Sequence, residues 1–82
     1  MGAAMTADQA AARQASVQSM QADLLRELEY AHVIIRNMLG MMSVSQKFAL
    51  VERNARDGVD GEGATRAHER ATVIARAGGT VR

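Results

Sequence analysis

An all-α fold is what these 82 residues predict, and three observations predict it. Apolar residues recur at steps of three and four between Val17 and Met42, the spacing of one helix face. Strand formers are scarce, with one Tyr, one Phe and no Trp. Glycines at 58–63 and at 78–79 interrupt the chain where helices would stop.

Residues 1–16 are rich in Ala and Gln and carry no apolar period. They read as a flexible N-terminus, either a frayed helical extension or disordered, although Thr6 and Gln9 have the spacing of a capping box. Residues 17–79 form a single helical domain in this reading, and 80–82 a frayed tail. The first helix runs from Val17 to about Leu39, a length of ~35 Å at 1.5 Å per residue. Its stripe is Val17, Leu24, Leu28, Ala31, Ile35, Met38 and Met42, with one gap at Gln21. Leu25, Ile34, Leu39 and Met41 widen it. The second half, Tyr30–Leu39, is apolar on most sides and calls for more than one neighbour.

Gly40 weakens that helix near its end. Ser43 then supplies a fresh N-cap with Gln46 three residues on. A short second helix, about Val44 to Ala55, carries Val44, Phe48 and Val51 on one face. Arg53 and Arg56 suit the negative end of its dipole, and Gly58 is a natural stop. A loop rich in Gly and acids, Asp57–Gly63, leads to a third helix from Ala64 or Thr65 to about Ala77. Its apolar side is Ala64, Ala67, Ala71, Ile74 and Ala75, small residues that allow close approach.

The core available is thin. Sixteen alanines inflate the apolar fraction of 48%, leaving 23 larger apolar residues. A lone core rarely stabilises a chain of ~70–80 residues by more than a few kcal/mol, and without cysteine no disulfide adds to it. The helices are therefore expected to pack as a homo-oligomer, a dimer or larger. Ten basic and nine acidic residues exclude the strongly basic signature of a non-specific nucleic-acid binder. Nine of the ten basic residues are Arg, whose planar fork grips carboxylates and phosphates, although coding bias raises Arg and Ala together.

No secretory pattern opens the sequence: Asp8 interrupts it, Arg13 is its one basic residue before Arg26, and no apolar stretch follows. His32 and Arg36 break the apolar run around Tyr30–Met42, so no membrane span is expected. The expected compartment is the cytoplasm. Met1–Thr6 formally fits an acylation pattern, but the match is short and common.

The loop and the start of the third helix are the most informative stretch for chemistry. Gly58, Gly61 and Gly63 can turn successive N–H groups into one concavity, and a helix N-terminus adds its dipole. Thr65 adds a hydroxyl, Arg66 and Arg70 lie four apart, and Arg53 and Arg56 arrive from the second helix. Arg36 and Asn37 of the first helix, with His68, could complete a pocket for a phosphate or another anion. Asp57, Asp60 and Glu62 oppose that reading, and the plain alternative is a helix–helix turn whose acids cap the third helix and pair with the arginines. The same acids fail the calcium-loop register, because His68 stands where a bidentate Glu is required. His32 and Arg36 lie within the apolar run, where Glu29 or an acid of another subunit could hold Arg36.

No nucleophile has an obvious base, and two histidines without cysteine make a poor zinc site, so no catalysis, metal or cofactor is expected. A helix-turn-helix is disfavoured by a connection of about seven residues against the usual three or four.

The segments Leu28–Asn37 and Gly58–Arg70 resemble small orphan helical proteins encoded by temperate phages of proteobacteria. The resemblance covers roughly residues 24–77 and implies context: such proteins are often counter-defence factors, transcription regulators or packaging accessories. Some are small oligomers that sequester nucleotide immune signals without cleaving them. The function expected on these grounds is non-catalytic binding of an anionic small ligand, a nucleotide signal. The alternative is a helical adaptor or inhibitor that docks on a host protein.

Overall fold

The structure, a computed structural model, describes residues 6–81. Met1–Met5, with most of the acylation pattern, and Arg82 lie outside the described residues. The described residues form three helices and no strand: α1 (Ala7–Gly40), α2 (Val44–Arg56) and α3 (Ala67–Arg76).

α1 begins at Ala7 rather than Val17. The Thr6 hydroxyl accepts from the Gln9 amide at 3.1 Å, and the Gln9 side chain accepts from the Thr6 amide at 3.0 Å. Behind this reciprocal cap lie Ala and Gln, good helix formers that need no tertiary contact to favour helix. Residues 7–16 are exposed throughout, so they extend the helix without adding to a core.

The same device starts α2. Ser43 Oγ accepts from the Gln46 amide at 3.2 Å, and Gln46 returns the bond to the Ser43 amide at 2.7 Å. α2 ends at Gly58, whose φ of 71° admits the left-handed turn. The Gly58 amide donates to the Ala55 carbonyl and the Val59 amide to the Asn54 carbonyl, a Schellman closure. α3 ends in the same way through Gly78 and Gly79.

α3 starts at Ala67, not Ala64 or Thr65. Arg66 adopts a left-handed conformation, φ 56° and ψ 34°, which cannot continue into a helix N-terminally. The expected first turn is therefore a non-helical turn over 63–66.

α1 packs chiefly against α3, and the contact splits the α1 stripe in two. Leu25, Leu28, Ile35, Leu39 and Met42 are half-buried on the side of α2 and α3. Val17, Met20, Leu24, Ile34, Met38 and Met41 remain exposed. Ile74 is the one fully buried hydrophobic residue among those described. The molecule measures 59 × 29 × 16 Å, with a radius of gyration of 18.5 Å. A compact chain of this length would have a radius near ~12 Å.

Gly79 packs closely against apolar side chains and backbone. A Cβ there would lie 2.8 Å from Ile74 Cγ2, 2.9 Å from Leu25 Cδ1 and 3.2 Å from the Ile74 carbonyl. Gly79→Ala is expected to destabilise by ~1–3 kcal/mol, the range for overpacking. Gly40, by contrast, has open space around its Cα, so Gly40→Ala should stabilise by up to ~1 kcal/mol through helix propensity. Urea midpoints of the two variants test this. Equal shifts, or shifts of the same sign, would contradict it.

Candidate functional site

The polar centre of the molecule forms where α3 crosses the middle of α1. His32, 3% exposed, sits inside the apolar half of α1. Arg70 reaches it from the first turns of α3. Its Nε donates to His32 Nδ1 at 3.0 Å, and its Nη1 donates to the Thr65 carbonyl. An imidazole nitrogen that accepts must be unprotonated, so the ring proton sits on Nε2. Burial lowers the His32 pKa, and the charges of Arg70 and Arg36 lower it further. Burial also lowers the Arg70 pKa, with Arg66 adding to the effect and Glu69 opposing it.

The loop is fastened by the neighbouring residues. Glu69 accepts the Glu62 amide at 2.8 Å, and this bond is the main cause of its lowered pKa. Arg66 Nη1 donates to the Asp60 carbonyl at 2.7 Å and lies 3.8 Å from Glu69 Oε2. Gly61 lies beneath them, and a Cβ there would fall 2.0 Å from Glu69 Oε2 and 2.7 Å from Arg66 Cγ, so a larger residue would push both side chains aside. Asn54 of α2 donates to the Ala64 carbonyl at 2.8 Å and ties the turn to the second helix. Glu69 Oε1 and Arg70 Nη2 are buried without a partner.

Of the residues singled out from sequence, Gly61, Thr65, Arg66 and Arg70 meet at this centre. The others do not join them in one concavity. Arg53 bonds Asp57 at 3.0 Å along α2, and Arg56 is exposed. Arg36 and Asn37 are exposed on α1, and His68 is exposed on α3. Gly63 takes φ 71° in the turn with nothing close to its Cα. Glu29 does not hold Arg36; it accepts the Thr80 amide at 3.1 Å. The acid that anchors the loop is Glu69 of α3, and the arginines donate to carbonyl oxygens. Glu69 and Asn54 had no motif to reveal them. His32 did carry a signal, as a polar group amid apolar neighbours.

Three open clefts lie in line beside this centre. One of about 700 Å³ runs between α1 and α3, past Gln21, Leu24, Leu25, Leu28 and Val73. The middle one is walled by Leu28, Arg66, Glu69, Arg70 and Val73. The third, about 310 Å³, is bounded by Ile35, Met38, Leu39, Met42, Leu50 and Val59 among others. The first and middle clefts share Leu28 and Val73 in their walls, and the middle and third share Arg66. A separate apolar face lies on α2, where Val44, Phe48 and Val51 are exposed at helical spacing.

No described helix is long and apolar enough to cross a membrane. No protein family, curated protein or solved structure matches the chain, so the reading of its site rests on the side chains just described.

Proposed function

We propose that this protein is a non-catalytic helical adaptor that self-associates through α1 and presents the apolar face of α2 to a target protein. The observation that carries the reading is the balance of apolar residues. Ile74 is the one buried hydrophobic side chain described, while Leu24, Met38, Met41, Val44, Phe48 and others stand exposed. The accessible surface is 6539 Å². A folded monomer of this mass would expose ~4,800 Å². The excess is about twice the ~800 Å² per partner that a standard interface buries. With large apolar side chains exposed on that extra surface, a protein partner is favoured over water. The resemblance to phage-encoded proteins suits a host protein as the target of α2.

The anion-binding reading has less support. Arg66 and Arg70 already donate to carbonyl oxygens, and Glu69 stands between them as a negative charge. Arg36, Arg53 and Arg56 point to no common concavity.

A photoreactive phenylalanine analogue at position 48 tests the adaptor reading. The expected result is one discrete adduct with a different protein in the native host. Val44→Asp or Val51→Asp should abolish it, and Arg66→Ala should leave it intact. No adduct, or an adduct with this chain alone, would overturn the role given to α2. Calorimetric titration of mono-, di- and cyclic nucleotides is expected to give no heat. Heat that Arg36→Ala, Arg66→Ala or Arg70→Ala abolishes would return the function to nucleotide sequestration.

A further inference from the structure

The exposed flank of α1 has a stricter order than its apolar content requires. Val17, Leu24, Ala31 and Met38 are spaced by seven, as are Met20, Glu27, Ile34 and Met41. Together they form the a and d positions of a heptad repeat, the seam by which helices pair as a coiled coil. Val17 is 47% exposed, Leu24 67%, Met38 59% and Met41 87%. The seam spans ~36 Å at 1.5 Å per residue. The flank toward α3 is already occupied, whereas seven of the eight seam residues are exposed and Ala31 is half-buried.

One residue in the seam is charged, and it selects the arrangement. A parallel in-register pair would set Glu27 against Glu27 in an apolar layer, two like charges without compensation. In an antiparallel pair each a position meets a d position. When residue numbers across the seam add to 58, Leu24 faces Ile34, Met20 faces Met38, Val17 faces Met41 and Glu27 faces the small Ala31. Every apolar seam residue is then covered, and the two Glu27 side chains stand ~6 Å apart along the axis rather than face to face. Moving the register by one heptad would place Arg13 against Met38 and Leu24 against Glu27, and would leave part of the apolar seam wet.

We infer that α1 pairs with α1 of a second copy as an antiparallel, two-fold coiled coil centred near Glu29. The arrangement rests on the self-association proposed above and gives it direction and register. The two α2 faces then lie at opposite ends of the pair, because α2 follows the C-terminal end of α1. Tyr30, 55% exposed, lies beside the two-fold axis close to its own copy.

The absence of cysteine makes disulfide mapping clean. Leu24→Cys and Ile34→Cys chains, mixed under mild oxidation, are expected to give the mixed 24–34 disulfide. Neither variant should link to itself, since its two copies would stand ~15 Å apart along the axis at 1.5 Å per residue, beyond disulfide reach. Sedimentation of the unmodified chain at ten micromolar should show a dimer, and Leu24→Asp should weaken it by a hundredfold or more. A 24–24 disulfide would show a parallel pair and overturn the arrangement while leaving self-association standing. A monomeric wild type would overturn both. A dimer that forms neither disulfide, with both variants helical by circular dichroism, would place the interface elsewhere and overturn the seam.

Discussion

Ile74→Ala is expected to destabilise the fold by ~2–5 kcal/mol, the range for deleting a buried aliphatic side chain. Most proteins share that loss among many buried residues. Here Ile74 is fully buried and the other large hydrophobics of the described residues are not. Its Cγ2 lies against the Gly79 backbone, beside Leu25 of α1, so it fastens α3 to both the C-terminal turn and the long helix. The variant should lose amide protection throughout α3, while α1 stays helical from its own cap and propensity. Val73 is the internal control. It neighbours Ile74 but is 52% exposed, and Val73→Ala should change stability by less than ~1 kcal/mol. Urea unfolding and hydrogen exchange at one fixed protein concentration decide the matter, because linked association changes apparent stability with concentration. Equal effects at the two positions would contradict this account of the core.

The local features of the fold were legible in the sequence because they are short-range. Thr6 with Gln9 and Ser43 with Gln46 form reciprocal caps whose partners are three residues apart. Gly58 and Gly78 supply the positive φ that ends α2 and α3. The start of α1 is legible only through its Thr6–Gln9 cap, because residues 7–16 are helical with every side exposed and so carry no amphipathic period. The start of α3 was missed for another reason. No sequence pattern marks Arg66 as left-handed; its side chain donates to the Asp60 carbonyl six residues back and lies beside Glu69 one turn on. The site was half visible. The Gly spacing and the Arg66–Arg70 pair pointed to the right stretch. Which charges would face outward depended on how far α3 approaches α1, and a one-dimensional pattern does not contain that distance. The continuous stripe of α1 likewise gave no warning that the rest of the chain would half-bury Leu28 and Ile35 while leaving Leu24 and Met38 bare.

Acid should loosen α3 in a window set by His32. The Arg70 Nε donates to His32 Nδ1, and no such bond survives protonation of that nitrogen. The ordinary value for the ring is 6.5, and in the fold it is lowered, first by burial and then by Arg70 and Arg36. Because the folded pKa lies below the unfolded one, the contribution to stability is complete above about 6.5. It declines as pH falls through that value toward the folded pKa. Glu69 also has a lowered pKa, but its contribution declines only as pH falls below 4.5, so the loss that begins near 6.5 belongs to His32. The charged groups of this region, Glu29 and Arg36 on α1 with Arg66, Glu69 and Arg70 from the loop and α3, remain in every variant compared. His32→Asn offers an oxygen acceptor that does not titrate, and it should flatten the stability profile below about pH 6.5. His32→Leu leaves the Arg70 Nε donor buried without its partner, and a hydrogen bond to a charged group is worth ~1.5–3 kcal/mol. That variant should therefore be less stable at pH 7.5 by a comparable amount, with the same flat profile. Urea midpoints measured every half unit between pH 5 and 8 give the test. If His32→Asn keeps the wild-type slope across this window, the acid sensitivity lies elsewhere and the Arg70–His32 bond does not hold α3 to α1.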